Sequence, residues 1–222
     1  MTPTVIFDFD GTLALGDGPL HAYAACVGEA SGLAGAREAC EAALARHAAG
    51  KGGFRDGYHA VREAAVALGV APDALQQGFL DSRALLASDA APVHAPDGLE
   101  GFLARLHQHA TIVVATNSPP IRIDAALDSL GAAPHVDRVV CSARKPEGLV
   151  PVIEDALTRG PVLSVGDIHE FDLEPATRLG AATAAVGPAA ARAGRLVTMA
   201  APGLPALYGA IEAWAADASS PR

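Results

Sequence analysis

The sequence predicts an α/β protein in which a parallel-sheet core carries an inserted α-helical domain. Two observations predict this fold. Short runs of β-branched and aromatic residues, one at the N-terminus and several after residue 92, alternate with helical stretches. Between them lies an alanine-rich segment, from about residue 18 to 91, that contains helical patterns and no convincing strand.

The first strand is predicted at Thr4–Phe7, where a buried apolar run stops abruptly at acidic residues and glycine. Further strands are predicted at 110–115, 136–141, 161–165 and 181–186, and helices at 97–109, 119–131, 147–159, 170–180 and 203–216. Strands that alternate with helices at this spacing imply right-handed crossovers, and therefore a Rossmann-like parallel sheet.

The inserted segment reads as four amphipathic helices, near 18–32, 35–49, 54–69 and 72–88. A glycine-rich break at 50–53 separates the second helix from the third. We therefore expect two domains, an α/β core made of residues 1–17 and 92–222 and a helical domain made of residues 18–91.

Composition excludes several classes of protein. Half of the 222 residues are apolar, which excludes a largely disordered chain. The formal charge of −9 argues against nucleic acid or an anionic membrane as the partner, although a small anionic ligand remains compatible with it. Three scattered cysteines form neither a disulfide framework nor a metal motif, and no apolar run has membrane length, so we expect a cytoplasmic protein.

Two acidic residues, Asp8 and Asp10, follow the first predicted strand. Residues two apart on a strand point the same way, so both carboxylates would project from the carboxyl end of the sheet, where open α/β sheets bind ligands. Like charges held close together repel each other and require a cation or a shared proton. The pair therefore indicates a functional site.

Three later fragments carry polar residues after predicted strands or before predicted helices: Thr116-Asn117-Ser118, Lys145-Pro146, and Gly166-Asp167 with Asp172 five residues further on. Lys145 is one of only two lysines in the chain, the other being Lys51, and this sparing use of lysine favours a functional role for Lys145 over a generic solvated one. Ser118 precedes two prolines and is predicted to cap the helix that follows, with a catalytic hydroxyl as the alternative.

Taken in order, DFDGT at 8–12, T-N at 116–117, K-P at 145–146 and GDxxxxD at 166–172 resemble the four motifs of the haloacid dehalogenase superfamily. The second aspartate matches its phosphatase branch, since the dehalogenases proper lack it. The resemblance runs from residue 5 to about 187 and implies that the helical insert is the mobile cap domain of that family.

The resemblance also implies roles for individual residues. Asp8 would be the nucleophile that forms an aspartyl-phosphate, and Asp10 would act as general acid and then as general base. Mg²⁺ would be held by Asp8, the backbone carbonyl of Asp10, and Asp167. Asp172 would orient Lys145 or a metal-bound water. Thr116, Lys145 and the backbone of Asn117 would bind the phosphoryl oxygens.

The substrate implied is a small phosphorylated metabolite, which residues of the insert would select. Lys51 and Arg55, beside the glycine-rich break, are the candidates for this role, with a solvated turn as the alternative. The sequence leaves the oligomeric state open.

Other functions remain open at this point. A phosphosugar mutase uses the same acids and differs in returning the phosphate to the substrate. A phosphonate hydrolase would need a cap lysine able to form a Schiff base, for which Lys51 is the only candidate. A phospho-accepting signalling module or a binding module is the non-enzyme alternative. The order of the motifs favours a phosphatase.

Overall fold

The computed structural model describes residues 1–187, 190 and 197–219. It divides the chain into two compact units, one made of Met1–Leu15, His94–Pro120 and Leu127–Arg222, and the other of Gly16–Val93 and Ile121–Ala126. The predicted helical domain, residues 18–91, falls within the second unit. Its function as a cap stays a prediction.

The first unit is built on a six-stranded sheet in which every neighbouring pair is parallel. The strands are β1 (Thr4–Phe7), β2 (Thr111–Ala115), β3 (Arg138–Val140), β4 (Val162–Gly166), β5 (Ala182–Ala185) and β6 (Met199–Ala200). Their order across the sheet is β3-β2-β1-β4-β5-β6. The predicted fold class is confirmed. The edge strand β6, at two residues, was too short to show a pattern in the sequence.

The central position of β1 decides where the functional residues lie. Phe7, the last residue of this strand, is in register with Val114 of β2 on one side and Val165 of β4 on the other. The chain therefore leaves β1 beside the ends of both neighbouring strands. Because all three are parallel, their following loops meet at one edge of the sheet.

Nine α-helices accompany the strands in the described part of the chain. They are α1 (Gly18–Ser31), α2 (Ala36–Ala48), α3 (Gly57–Ala67), α4 (Pro72–Ala84), α5 (Leu99–Leu106), α6 (Ile123–Ser129), α7 (Val150–Leu157), α8 (Glu174–Arg178) and α9 (Tyr208–Ser219). Each corresponds to a helix that the sequence predicts, and each is shorter than the predicted range. None of these described helices has the length and apolar character needed to cross a membrane.

Side chains on successive residues of β1 pack on opposite faces of the sheet. Ile6 belongs to an apolar cluster that includes Val113 of β2 and Ile153 of α7. Phe7 packs edge-on against Phe102 of α5, with ring centroids 6.2 Å apart, and Phe102 stacks on Tyr208 of α9 at 4.0 Å. Helices thus cover both faces of the strand, which explains its uninterrupted burial.

The second unit has a core of its own, formed by apolar residues of α1 to α4. Tyr23 and Val27 of α1 pack there with Cys40 of α2 and Val61 of α3. Helices α1 and α4 approach closely because α4 has glycine at position 78, where a β-carbon would lie 2.8 Å from the Cα of Val27. Gly78 therefore allows the two helices to pack tightly at this point.

Replacement of Phe102 by alanine should lower the free energy of unfolding of the first unit by about 3–5 kcal/mol, because the side chain is fully buried between two aromatic rings. Urea denaturation followed by circular dichroism measures the loss. The exposed Leu68 provides the control, since Leu68→Ala should change stability by less than about 0.5 kcal/mol. Equal effects of the two substitutions would contradict the packing described.

Candidate active site

Functional residues predicted from three distant parts of the sequence meet at the carboxyl edge of the sheet. Asp8 follows β1, Thr116 follows β2 and Asp167 follows β4. The backbone N–H of Asp8 donates to the carbonyl of Val165 at 2.9 Å, so the first residue after β1 is still held by the neighbouring strand. The backbone pairing of the parallel strands therefore fixes the position of Asp8 independently of its side-chain contacts.

Asp8 is buried and lies against a cation. Its Oδ1 accepts a hydrogen bond from Lys145 Nζ at 2.6 Å, and the hydroxyl of Thr12 approaches Oδ2 at 3.3 Å. Thr12 belongs to the same turn that follows β1 and is 1% exposed. The carboxylate is thus held at both oxygens inside the protein.

The loop that carries Lys145 is fastened to the loop after β2 by its backbone. The N–H of Ser142 donates to the carbonyl of Ser118 at 2.7 Å, and the N–H of Ala143 donates to the carbonyl of Thr116 at 2.9 Å. The side chain of Asn117 then binds Lys145 itself, with Oδ1 accepting from its N–H at 2.6 Å and Nδ2 donating to its carbonyl at 3.5 Å.

These side-chain bonds of Asn117 were not predicted, because the family resemblance implies only a backbone contribution from this residue. Asparagine shortly after the end of a strand is common in turns, so nothing in the sequence indicated that the side chain of Asn117 would bind the backbone of Lys145. The finding adds a structural role to Asn117: it positions the lysine. Its predicted contact with phosphate stays a prediction.

Asp172 completes the environment of Lys145. Its Oδ1 accepts from Lys145 Nζ at 2.6 Å and its Oδ2 accepts from the N–H of Ile168 at 3.0 Å. The residue lies in a single π-helical turn at His169–Leu173, and Ser164 of β4 donates to its backbone carbonyl at 2.6 Å. Both carboxylate oxygens therefore have protein partners, which suits a residue that orients Lys145.

Asp167 differs from the other acids in having a buried oxygen, Oδ1, with no hydrogen-bond partner among the described residues. Its carboxylate is packed closely against the turn after β1, where a β-carbon at Gly11 would lie 2.6 Å from Asp167 Oδ2. Oxygens of Asp8, Asp167 and Asp172 all lie within 4.8 Å of one another. A buried carboxylate oxygen without a donor is costly unless a cation binds it.

Burial and neighbouring charges shift the pKa values of the acids and of the lysine in this cluster. Burial raises the pKa of Asp8 to about 7, against the opposing charge of Lys145. Burial, with the charges of Asp8 and Asp172 next in importance, raises the pKa of Asp167 to about 9. Burial lowers the pKa of Lys145, but the two carboxylates it contacts outweigh this effect and hold the pKa above its ordinary value. The lysine therefore remains charged.

A charge count follows from these groups. If Asp8, Asp167 and Asp172 were all ionised, the one ammonium group would leave an excess of two negative charges in the cluster. A divalent cation would neutralise this excess and provide the partner that Asp167 Oδ1 lacks. The all-oxygen donor set suits Mg²⁺, which prefers carboxylates and retained waters. The residues present thus fit the predicted metal, with Asp8 and Asp167 as side-chain ligands and the carbonyl of Asp10 as a predicted third.

Thr116 and Asp10 are connected through Ser118. Thr116 is 2% exposed, and its Oγ1 accepts from the N–H of Ser118 at 3.0 Å, which leaves the hydroxyl hydrogen of Thr116 uncommitted by that bond. The hydroxyl of Ser118 donates to Asp10 Oδ2 at 3.0 Å. The prediction that Ser118 caps a helix is wrong, because α6 begins only at Ile123.

Lys51 and Arg55 lie in the second unit, exposed on the connection between α2 and α3. This connection is ordered by its own contacts: Arg55 Nε donates to Asp56 Oδ2 at 3.0 Å, and Asp56 caps α3 by accepting from the N–H of His59 at 2.6 Å. The assignment of Lys51 and Arg55 to substrate selection stays a prediction.

Comparison with known proteins agrees with the sequence motifs. A family model described as haloacid dehalogenase-like hydrolase matches residues 5–193, which is most of the chain. A search of curated proteins gives no match.

Three similar solved structures illustrate the shared fold. A haloacid dehalogenase-like family hydrolase from Streptococcus pneumoniae is 17% identical, with a TM-score of 0.66 over 96% of this chain and 98% of that one. YfnB, a HAD-hydrolase from Bacillus subtilis solved with bound magnesium, is 18% identical, with a TM-score of 0.64 over 95% and 98%. A HAD phosphatase from Thermococcus onnurineus is 17% identical, with a TM-score of 0.59 over 94% and 97%. At these identities the likeness shows the fold.

Mg²⁺ should raise the melting temperature of the protein, because an ion that binds the folded state alone stabilises it by about 2.7 kcal/mol at a concentration of one hundred times Kd. Asp167→Asn should remove this stabilisation, since it takes away the carboxylate whose Oδ1 lacks a partner. Asp128→Asn, at an exposed position on α6, is the matched control and should retain it. Differential scanning calorimetry with and without Mg²⁺ makes the comparison, and an equal Mg²⁺ response in all three proteins would contradict the site.

Proposed function

Because the chain belongs to the haloacid dehalogenase-like hydrolase family, we propose that it is a Mg²⁺-dependent phosphatase that hydrolyses a small phosphate monoester through an aspartyl-phosphate on Asp8. The observation that carries this proposal is the buried contact between Asp8 and Lys145, at 2.6 Å, with a second acid two residues further along the same turn. A carboxylate nucleophile, a fixed positive charge and a proton donor are the three groups that two-step phosphate transfer requires.

In the first step, a carboxylate oxygen of Asp8 attacks the phosphorus atom and the bond to the leaving oxygen breaks. Asp10 gives its proton to that oxygen, so the alcohol leaves as a neutral molecule. Lys145 draws the negative phosphoryl group toward Asp8, and the hydroxyl of Thr116 donates to a phosphoryl oxygen. The products are the free alcohol and a phosphorylated Asp8.

In the second step, water attacks the phosphorus atom and the bond to Asp8 breaks. Asp10, now ionised, takes a proton from the water. Inorganic phosphate is released, Asp8 returns to the carboxylate and Asp10 returns to the acid. Lys145 stays protonated throughout, which its two carboxylate contacts favour.

Mg²⁺, when bound by Asp8, Asp167 and the carbonyl of Asp10, would supply the positive charge that lets an anionic nucleophile approach an anionic substrate. Asp172 holds Lys145 in reach of Asp8, since the same Nζ contacts both carboxylates. Removal of divalent ions should therefore stop turnover in this proposal.

Asp10 also separates the candidate reactions. Dehalogenation requires no proton, because the leaving group is a halide ion. The presence of Asp10 as an acid, held by Ser118, therefore supports transfer of a phosphoryl group from an oxygen ester. Hydrolysis and mutase-type transfer use the same acids and differ in whether water or substrate accepts the phosphoryl group. The family assignment as a hydrolase supports water as the acceptor.

The decisive experiment is a Mg²⁺-supplemented activity screen of phosphorylated metabolites, with sugar phosphates, phosphoglycolate, nucleotides and phosphonoacetaldehyde as the panel. Release of inorganic phosphate from one or more monoesters, lost in excess EDTA, is the expected result. Isomerisation of a sugar phosphate without phosphate release would favour a mutase. Activity on phosphonoacetaldehyde alone would overturn the proposal, as would full activity in EDTA.

Asp8→Asn should lower kcat by at least about a thousandfold, because an amide is not a nucleophile. Acid quench during turnover of ³²P-labelled substrate should trap label on the natural protein and none on the variant. Asp128→Asn again serves as the control and should keep both properties. A loss of kcat below about tenfold in Asp8→Asn would contradict the assignment.

Asn117→Ala should lower kcat/KM about tenfold, because it removes both side-chain bonds that hold the backbone of Lys145 and a small misplacement of a charged group is costly in catalysis. Gln108→Ala removes an amide from an exposed position and should leave kcat/KM unchanged. In a Lys145→Ala background, the Asn117 substitution should add less than about threefold. Full additivity of the two losses would show that Asn117 acts independently of the lysine.

A further inference from the structure

We propose that Ser118 is a positioning residue that holds the Asp10 carboxyl group for proton transfer in both halves of the reaction. The proposal rests on the function proposed above and goes beyond it, because neither the motifs nor the family match assigns a role to this serine. It starts from one contact, the hydrogen bond of 3.0 Å between Ser118 Oγ and Asp10 Oδ2, which joins the loops after two neighbouring strands.

Asp10 lies in the turn that follows β1. It is the third residue beyond the end of the strand, it forms an isolated β-bridge with Ala14, and the glycine that follows it has a φ of +87°. The hydrogen bond from Ser118 comes from outside this turn, holds Oδ2 and so sets the direction of the other carboxyl oxygen, Oδ1.

A hydroxyl group is chemically suited to this task. The hydroxyl of Ser118 donates to Oδ2, so the other carboxyl oxygen, Oδ1, is the one that can carry the proton toward the leaving oxygen. Oδ2 keeps a lone pair when Oδ1 is protonated, so the same hydrogen bond can persist before and after the proton transfer.

Ser118 is itself fixed at three points. Its N–H donates to Thr116 Oγ1 at 3.0 Å, its carbonyl accepts from the N–H of Ser142 at 2.7 Å, and the side chain is buried, with the residue 6% exposed. Pro119 follows it, which restricts the backbone of Ser118 to extended conformations. Because Ser118 is held firmly, its hydroxyl can keep the carboxyl group of Asp10 in one orientation.

The test uses two aryl esters of the same shape that differ in leaving group. p-Nitrophenyl phosphate releases a weakly basic phenolate that needs little protonation, whereas phenyl phosphate releases a more basic one that does. Because kcat/KM reports the first irreversible step, it isolates formation of the aspartyl-phosphate. If Ser118 positions the acid, Ser118→Ala should lower kcat/KM for phenyl phosphate by about 10- to 100-fold. The loss for p-nitrophenyl phosphate should be below about threefold, with KM little changed for both esters.

Three further variants make the result specific. Ser118→Thr keeps the hydroxyl and should restore kcat/KM for phenyl phosphate to within about threefold of the natural protein. In an Asp10→Asn background, Ser118→Ala should add less than about threefold, since the group it positions is gone. Ser219→Ala, which removes a hydroxyl that donates to the carbonyl of Ala216 in α9, is the control and should have no effect.

The possible outcomes are distinguishable. An equal loss for both esters with a raised KM, or a further large loss in the Asp10→Asn background, would show that Ser118 binds substrate directly and overturn the proposal. No loss at all in Ser118→Ala would overturn it as well. If the natural protein cleaves neither these esters nor any member of the metabolite panel, the proposed function fails and the role of Ser118 falls with it.

Discussion

The site depends on one constraint: more buried carboxylates than buried cations meet at one edge of the sheet. Lys145 Nζ lies 2.6 Å from both Asp8 and Asp172, and it can compensate for only one of the three negative charges that full ionisation of the cluster would give. Unpaired charge inside a protein is unfavourable unless a further cation or a proton balances it. Burial first, and the neighbouring carboxylates after it, raise the pKa values of Asp8 and Asp167. The excess of carboxylates suits a divalent ion, whose charge would offset it and would let an anionic substrate approach.

The parallel sheet makes this concentration of charge possible. The backbone of β1 is paired on both sides, so the position of Asp8 follows from the register with β2 and β4. The Lys145 loop is attached to the neighbouring loop by two backbone bonds and by the side chain of Asn117. The energy that holds like charges together therefore comes from strand pairing and core packing away from the site. Functional sites on rigid elements are typically held in this way by packing and hydrogen bonds around them.

The sequence could predict the fold and the acidic cluster because both depend on local patterns. Alternating apolar runs and helices specify a parallel sheet, and acids that directly follow buried strands must lie at its carboxyl edge. The contacts of Asn117 and Ser118 could not be predicted, since they join loops whose backbone paths spacing does not determine. Ser118 before two prolines resembled a helix cap, yet the chain continues in a non-helical path to Ile123, with φ of +56° at Arg122. The edge strand β6 escaped prediction because two residues carry no periodicity.

Anomalous diffraction from crystals grown with Mn²⁺, a scattering substitute for Mg²⁺, tests the central claim most directly. The account predicts one strong anomalous peak that is coordinated by the carboxylates of both Asp8 and Asp167, with Lys145 still in contact with Asp8. A peak located elsewhere, or well-ordered carboxylates of Asp8 and Asp167 with no ion between them at saturating Mn²⁺, would contradict it.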